Sequence, residues 1–232
     1  MRKTIPFVYA KIHTLWKREE KKTAGGKSIF PIVPGEYSKE EFKSISNWTV
    51  SEKIHGTNIR VVYNPYYENI SFLGKTDKAE LYSGLLKRLE SIFNIELFRT
   101  TFPNTKSVQL FGEGYGSKIQ KGGGRYLDIQ DFALFDVCVD GWWLNRSSVE
   151  DIGNKMNITT APVFCDLKTV DDVVSALEED CIFNSAIAVD RSLVVEGFVA
   201  RSEPLMLFRN GDPIMFKLKV KDYQDLKKYK AQ

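Results

Sequence analysis

The strongest constraint on the fold is a pattern in which apolar and polar residues alternate over short stretches. The pattern is clearest in residues 58–63 and 70–73, on either side of a turn at Pro65. Alternation with a period of two is typical of strands that bury one face and expose the other. Similar stretches follow at residues 108–111, 131–139, 193–200 and 215–220. The sequence therefore predicts a fold dominated by antiparallel sheet.

Other segments have the features of helices and loops. Residues 79–98 carry Leu85, Leu89 and Phe93 among other apolar residues at helical spacing, which predicts a helix with one buried face. Residues 170–179 predict a second helix, and Ser38 begins a short segment that looks like a capped helix. Three consecutive glycines at 122–124 predict a loop. With helices packed outside the sheets, the predicted class is α+β.

Length and composition indicate the setting of the chain. Its 232 residues are 43% hydrophobic, enough for the core of one domain or of one domain with an appendage. We predict a single domain over residues 1–232, in which residues 1–47 are an N-terminal lead-in. No apolar run approaches the roughly 20 residues of a membrane helix, and residues 1–6 do not resemble a secretory signal. The three cysteines are odd in number and widely spaced, so we expect a reducing cytoplasmic location.

The charge balance is mild. Lysine and arginine total 33 against 30 aspartates and glutamates, which gives a net charge of +3. Proteins that bind nucleic acid mainly through an unspecific basic surface usually carry more positive charge than this. Six lysines nevertheless lie between Lys217 and Lys230, with only two aspartates among them. This segment is either an exposed helix face or a rim that contacts phosphates.

Residues 52–58 read Glu-Lys-Ile-His-Gly-Thr-Asn and lie between two alternating stretches. Lys53 is followed three residues later by Gly56 and then by small polar residues. This arrangement suits a nucleophilic amine at the end of a strand, with a tight turn that brings backbone amides towards a phosphate. Further short motifs follow in chain order: Phe111-Gly112-Glu113, Phe132-Ala133-Leu134-Phe135-Asp136, Glu196-Gly197-Phe198-Val199 and Lys217-Leu218-Lys219.

Together these motifs resemble the five nucleotidyltransferase motifs of the ATP-dependent ligases and RNA-capping enzymes. The strongest likeness is to the phage-type, nick-sealing RNA ligases (RNA ligase 2-like), which use the same seven residues as their first motif. The resemblance covers about residues 52–223. It implies an α+β nucleotidyltransferase domain, the ATP-grasp-like adenylation domain of ligases, with antiparallel sheets and flanking helices. It also implies an ATP-dependent RNA ligase that joins 5′-phosphate and 3′-OH RNA ends through lysyl-AMP and RNA-adenylate intermediates.

The resemblance makes Lys53 the residue that takes AMP from ATP. A lysine attacks a phosphate only as the neutral amine, whereas its usual pKa is about 10.4. Lys217 and Lys219 alternate on one predicted strand and therefore face the same way. By resemblance they contact the α-phosphate and orient Lys53. Without the resemblance, the two lysines would be read as an exposed polar strand face.

Two glutamates are candidates for a metal site. Glu113 and Glu196 each lie beside a glycine in apolar, strand-like sequence, where an unpaired carboxylate is costly. Phosphoryl transfer usually needs Mg²⁺ or Mn²⁺ held by carboxylates or by their bound waters. The resemblance places Glu113 near the ribose and the metal's waters, and Glu196 at the metal. The alternative for each is a structural glutamate in a salt bridge.

The remaining predicted contacts to the nucleotide also follow from the resemblance. Glu52 is expected at the exocyclic amine of adenine. Phe135 matches the aromatic residue that stacks on the purine, whereas strand alternation sends Phe132 to the opposite face and into the core. The other motif positions are Ile54 and Asn58 beside the nucleotide, and His55 at the phosphate and strand-joining steps. An isolated histidine after a strand would otherwise be read as a hydrogen-bonding turn residue.

This chain departs from the resemblance in two places. Lys75 stands where the RNA ligases usually carry an arginine, and a lysine lacks the guanidinium fork needed for bidentate contact. The role of Lys75 is therefore open, although we place it among the nucleotide contacts. Only nine residues follow Tyr223, where DNA ligases and capping enzymes append an OB domain and nick-sealing RNA ligases a helical one. We expect neither domain here, so a partner protein would help to hold the RNA ends or nicked duplex.

Two alternative functions stay open from the sequence. A minimal ATP-dependent DNA ligase would perform the same first step, and a non-catalytic module would hold nucleotide or RNA without reacting. Every motif keeps its reactive residue type apart from Lys75, which favours an enzyme over a binding module. A GTP-using capping enzyme fits less well, because that class needs the OB domain.

Overall fold

The structure is a computed structural model that describes residues 8–178 and 184–223. Its backbone contacts divide the chain into two compact units. Among the described residues, the first unit contains 8–10, 54–162 and 185–193, and the second contains 11–53, 163–178, 184 and 194–223. Each unit has a sheet and a hydrophobic core of its own.

The strands and helices are numbered here in chain order. The strands are β1 (His13–Thr14), β2 (Trp16–Arg18), β3 (Lys21–Lys22), β4 (Ser28–Ile29), β5 (Ile32–Tyr37), β6 (Trp48–Glu52), β7 (Thr57–Asn64), β8 (Asn69–Leu73), β9 (Val108–Gly116), β10 (Gln130–Val139), β11 (Trp142–Trp143), β12 (Thr159–Thr160), β13 (Val163–Leu167), β14 (Gly197–Ser202) and β15 (Met215–Lys219). The α-helices are α1 (Ser83–Ile92), α2 (Ile95–Thr101), α3 (Arg146–Met156) and α4 (Val170–Glu178).

The first unit is built on a sheet with the strand order β11-β10-β9-β7-β8. These strands pair antiparallel, and the short β12 adds to β10 in parallel. Alternation along β7 sends Ile59, Val61 and Tyr63 into one core, where they pack with buried side chains of α1, α2 and α3. Asn58 and Arg60, at the alternate positions of the strand, therefore lie on the opposite face of the sheet.

The second unit has a sheet with the strand order β1-β15-β14-β6-β13. Only the pairing of β1 with β15 is parallel; the other pairings are antiparallel. Trp48 of β6 and Phe216 of β15 meet in the core with ring centroids 4.8 Å apart. The segment predicted as a lead-in contributes to this core, because Leu15 and Phe42 are both fully buried there. The prediction of a single domain over residues 1–232 stays a prediction.

The predicted mixture of helices and antiparallel strands is confirmed, with corrections in detail. The helix predicted over 79–98 is two helices, because the side chain of Asn94 accepts a hydrogen bond from the N–H of Leu97 and starts α2. Ser38 does not cap a helix: a short 3-10 helix spans Glu40–Ser44 without a side-chain cap. The strand predicted over 193–200 begins only at Gly197.

Two further predictions concern the glycine run and the membrane. Gly122 adopts a left-handed conformation with φ 80°, and a short 3-10 helix spans Gly123–Arg125, so the predicted loop is a compact turn. No helix within residues 8–178 and 184–223 is long and apolar enough to cross a membrane.

Candidate active site

Lys53 lies immediately after β6, an inner strand of the second unit's sheet. Its backbone N–H donates a hydrogen bond of 2.9 Å to the carbonyl of Gly197, which continues the pairing of Glu52 with Phe198. Its side chain is only 21% exposed, and the Nζ atom lies 2.6 Å from Oε2 of Glu196. The nucleophile candidate is thus fixed through its backbone and is held at its tip by a carboxylate.

Glu196 contacts a second lysine with its other oxygen. The Nζ atom of Lys219 lies 2.5 Å from Oε1 of Glu196. The backbone of Glu196 is held in turn, because the N–H of Val220 donates to its carbonyl at 3.1 Å. Lys53, Glu196 and Lys219 therefore form one ion-pair network, which we call the Glu196 cluster.

The strand order explains why these three residues meet. β6, β14 and β15 are neighbours in the sheet, and Lys219 pairs with Gly197 where β14 begins. A Cβ atom on Gly197 would lie 2.2 Å from the carbonyl oxygen of Leu218, so a larger residue would force the two strands apart. The glycine beside the glutamate is thus a packing requirement of the site.

Charge in the Glu196 cluster keeps the carboxylate ionised. Burial on its own would raise the pKa of Glu196, but the adjacent Lys53 and Lys219 outweigh burial and lower that pKa below its usual value. Both the salt-bridge alternative and the metal-site prediction for Glu196 require a carboxylate in this state.

Lys217 and Glu52 lie on the same sheet. Lys217 is half-exposed in β15, as is Lys219, while the intervening Leu218 is buried. This confirms that the two lysines share one strand face. The backbone carbonyl of Lys217 accepts a hydrogen bond of 3.0 Å from Leu15. Glu52 ends β6 and is only 2% exposed.

The turn that follows Lys53 belongs to the first unit and is held by several contacts. Ile54 is buried beside Tyr126, whose hydroxyl oxygen accepts a hydrogen bond of 3.4 Å from the backbone N–H of His55. The side chain of Gln120 donates to the carbonyl of Gly56 at 3.1 Å. A Cβ atom on Gly56 would lie 2.1 Å from the carbonyl oxygen of Gly114 on β9. Only glycine allows this turn to approach the sheet so closely.

Asn58 and Glu113 are directly opposite each other on β7 and β9. Glu113 is half-buried. The Oδ1 atom of Asn58 is buried and has no hydrogen-bond partner among residues 8–178 and 184–223. A buried acceptor without a partner is unusual in a folded protein, and a ligand with a donor group would satisfy it.

A protein-family model identifies the family to which this sequence belongs. The family model described as RNA ligase matches residues 46–219, most of the chain. The chain belongs to the RNA ligase family. The match spans all the motifs from Glu52 to Lys219, and it confirms the family prediction, while the narrower phage nick-sealing type stays a prediction.

Solved structures of an RNA ligase from Naegleria gruberi share the fold of this family member. A mutant with ATP and Mn is 20% identical with a TM-score of 0.58, and the match covers 83% of this chain and 54% of the Naegleria chain. The complex with PPi is 18% identical, with the same TM-score and coverage of 83% and 55%. This chain thus spans about half the length of those ligases. No curated protein sequence matches it significantly.

The donor set of this RNA ligase family member suits a metal ion that keeps most of its own waters. No group of three or more His, Cys, Asp or Glu side chains lies together within residues 8–178 and 184–223. Mg²⁺ is commonly bound through one or two carboxylates, with waters and substrate phosphates completing its shell. Glu196, ionised and 20% exposed, fits that role as a single carboxylate.

Some of the predicted site residues contact one another in the structure, and others lie elsewhere in the fold. Lys53, Glu196 and Lys219 meet in one cluster. Glu113 pairs with Asn58 in the sheet of the first unit, whereas Glu196 belongs to the second unit. Lys75 lies in an exposed turn after β8.

Sequence reasoning missed two residues of the first unit. Arg60 is fully buried; its Nε atom donates to the carbonyl of Gly74 at 2.9 Å and an Nη atom lies 2.6 Å from Asp77. These bonds fix the turn that carries Lys75. The sequence did contain a signal for Arg60, because it is the one charged residue in the apolar stretch of β7. The other missed residue is Tyr9, which is buried and donates a hydrogen bond to Asp136, and no sequence pattern marks it.

Proposed function

We propose that this chain is an ATP-dependent RNA ligase that joins a 5′-phosphate to a 3′-OH in three steps. The Nζ atom of Lys53 attacks the α-phosphorus of ATP, a P–N bond forms, and pyrophosphate leaves. AMP then passes to the RNA 5′-phosphate, and the 3′-OH displaces AMP as the new phosphodiester forms. The observation that carries the proposal is the Glu196 cluster, which holds Lys53 beside a second lysine in a member of the RNA ligase family.

The geometry suggests how the first step is prepared. An ammonium group that donates to a carboxylate has no free electron pair, so in our proposal Lys53 leaves Glu196 and gives up a proton to solvent before it attacks. In our proposal, Lys219 and Lys217 then act on the α-phosphate, where negative charge grows as the bond to pyrophosphate breaks. Glu196 is freed at the same time to hold a divalent cation.

ATP and a divalent metal ion fit this site. The Naegleria ligase structures contain ATP with Mn, AMP with Mn, or PPi. When bound, Mg²⁺ or Mn²⁺ supplies positive charge that neutralises the phosphates during transfer. In our proposal Glu196 holds the ion, partly through water, and Glu113 contributes through water.

The other proposed contacts to the nucleotide keep the roles implied by the resemblance. The unpartnered Oδ1 atom of Asn58 supports a ligand contact at that position. The remaining residues are Glu52 at the adenine amine, Phe135 on the purine face, Ile54 beside the nucleotide, Lys75 at a phosphate or ribose, and His55 at the later steps.

The decisive test is transfer of labelled AMP to the protein. With ATP labelled at the α-phosphate and Mg²⁺, we expect one AMP per chain in an acid-labile phosphoramidate that survives a denaturing gel. Lys53→Ala should abolish labelling, and so should Lys53→Arg, because a guanidinium stays protonated and does not attack. Lys155 also pairs with a carboxylate, at 2.6 Å from Asp151, so Lys155→Arg is the matched control and should label normally.

Two outcomes would contradict the proposal. Full labelling of Lys53→Ala would place the nucleophile elsewhere, and no labelling of the wild-type protein would favour a binding module.

Comparison of nicked RNA with nicked DNA as substrates separates an RNA ligase from a DNA ligase. Removal of the metal with EDTA should stop labelling, and added Mg²⁺ or Mn²⁺ should restore it.

A further inference from the structure

Tyr9 packs on the face of the first unit's sheet that is opposite to the helices. Its side chain is 6% exposed, and its hydroxyl donates a hydrogen bond to Oδ2 of the buried Asp136. Its ring lies among three aromatic residues: the centroid distances are 5.0 Å to Phe111, 5.1 Å to Phe135 and 5.8 Å to Trp143. Tyr9 is therefore fixed at its hydroxyl and at its ring.

An irregularity in the sheet places Phe135 against Tyr9. Leu134 pairs with Gly112 and Asp136 pairs with Phe111, so Phe135 is skipped in the register between β10 and β9. Consecutive strand residues normally point to opposite faces, whereas a bulge sets two residues against one and redirects their side chains. Phe135 and Asp136 accordingly both contact Tyr9. The strand ladder alone does not set the direction of the Phe135 ring.

We propose that Tyr9 is a positioning residue that holds Phe135 in the orientation in which it stacks on the purine of ATP. The inference rests on the proposed function, in which Phe135 is that stacking residue. The Asp136 carboxylate anchors the tyrosine, and the tyrosine ring meets Phe135 at an interplanar angle of 63°. Such an edge contact occupies at most one face of Phe135, which is half-exposed and keeps surface for a ligand.

A positioning role and a purely structural role differ in what they change. If Tyr9 acts through Phe135, its loss weakens ATP binding and adds nothing once Phe135 is gone. If Tyr9 only fills the core, its loss lowers stability and leaves ATP affinity unchanged in the folded protein. A double-mutant cycle separates these cases, because residues that act through one another give effects that do not add.

The experiment measures ATP affinity by calorimetry in a Lys53→Ala background, where no transfer occurs. Tyr9→Leu should raise the Kd for ATP at least about fivefold, the effect of losing a weak base–aromatic stack. Tyr9→Phe keeps the ring and loses the hydroxyl, so the rise in Kd should be smaller. The double variant Tyr9→Leu with Phe135→Ala should match Phe135→Ala alone to within about twofold, as expected for coupled residues.

The matched control is a tyrosine on the other face of the same sheet. Tyr63 is 2% exposed and stacks on Phe98 with centroids 4.8 Å apart, so Tyr63→Leu should lower Tm without changing the Kd for ATP. If Tyr9→Leu does not fold, Tyr9→Phe and the cycle built on it still decide the question.

The outcomes distinguish this inference from the proposed function. An unchanged Kd in both Tyr9 variants, or additive effects in the cycle, would overturn the positioning role while adenylation of Lys53 stands. In the Lys53-intact protein, Tyr9→Phe should raise the KM for ATP and leave kcat at saturating ATP within about twofold, because uniform binding is lost. A loss of kcat without a change in KM would also count against the inference.

Discussion

The Glu196 carboxylate is shared by two lysines, so one substitution removes both ion pairs. Glu196→Gln leaves Lys53 and Lys219 as neighbouring cations without their common counter-ion. We expect adenylation to fall at least about tenfold, because the substitution removes a charge that acts at the transition state. The labelling assay and Tm together test this. The matched control is Glu150→Gln, which removes a comparable carboxylate, 2.9 Å from Arg146, and should leave labelling intact.

The same carboxylate predicts how stability depends on pH. The pKa of Glu196 is lower in the folded protein than its ordinary value of 4.5. Its ion pairs therefore stabilise the fold fully above about pH 4.5, and this contribution is lost as the pH falls through the lowered pKa. The difference in Tm between wild type and Glu196→Gln should be constant near neutral pH and should shrink in acid. A difference that grows on acidification would mean that the pKa is raised instead.

Lysines 217 and 219 can be tested one at a time. Lys219→Ala removes a direct partner of Glu196, and Lys217→Ala removes its neighbour on the same strand face. Each should reduce adenylation at least about tenfold while the fold is retained, since both charges act on the α-phosphate in our proposal. Normal rates with a normal Tm in both variants would leave them as the exposed strand face that the sequence also allowed.

Lys75 allows a test in which function is gained. It lies in a turn fixed by the buried Arg60. Because arginine offers a bidentate fork that lysine lacks, Lys75→Arg should be neutral or should lower the KM for ATP if the position contacts phosphate or ribose. Lys78→Arg, in the same exposed segment, is the control. A severe loss of labelling in Lys75→Arg would show that the lysine has a role of its own.

Strands and turns set the geometry of the site, and substitutions at two separate glycines test how much the turn after Lys53 matters. Gly56→Ala should disrupt the turn after Lys53, because the new Cβ would lie 2.1 Å from a backbone oxygen of β9. We expect a lower Tm and a large loss of labelling. Gly25→Ala is the control, since nothing lies within 4 Å of its Cβ position. Equal labelling of the two variants would show that the turn adapts easily.

The sequence predicted five strands of the two main sheets at their observed places, because alternation with a period of two follows directly from the geometry of a half-buried strand. β7, β8, β9, β10 and β15 all lie where the pattern places them. The break between α1 and α2 was not predicted, since the apolar stripe continues through Phe93 to Phe98 and only the capping side chain of Asn94 interrupts it. Here one polar capping side chain starts a new helix although the apolar stripe continues.

The candidate site was predictable only in its local motifs. Lys53, Glu196 and Lys219 come from three motifs, and the sequence could not show that one carboxylate holds both lysines, because 143 residues separate Lys53 from Glu196. The contact of Tyr9 with Asp136 spans 127 residues, and the bulge at Phe135 shifts the core-facing positions of β10 from Phe132 and Leu134 to Val137 and Val139. Contacts between distant segments depend on strand order and register, which no local pattern specifies.

For the chain as a whole, the proposed reaction needs positive charge that can hold RNA. The ion pairs within the protein indicate which cations are least able to supply that charge. Lys17 pairs with Glu36 at 2.8 Å, and Arg18 pairs with Asp222 at 2.6 Å, so these lead-in cations are already engaged within the protein. Of the six lysines from Lys217 to Lys230, those at positions 227, 228 and 230 lie outside the described residues. The hairpin of β3 and β4 instead exposes Lys21, Lys22 and Lys27, a set that we call the hairpin lysines.

The hairpin lysines therefore give a test that separates the two halves of the reaction. Adenylation of Lys53 needs no RNA, so replacement of all three by Gln should leave labelling unchanged. Sealing needs RNA, and its affinity should fall, with a salt slope smaller by roughly 0.7–0.9 for each RNA phosphate that the protein no longer neutralises. Replacement of the equally exposed Lys87, Lys106 and Lys168 by Gln removes the same charge elsewhere and is the matched control. If both triple variants weaken RNA binding equally, total charge rather than the hairpin holds the RNA.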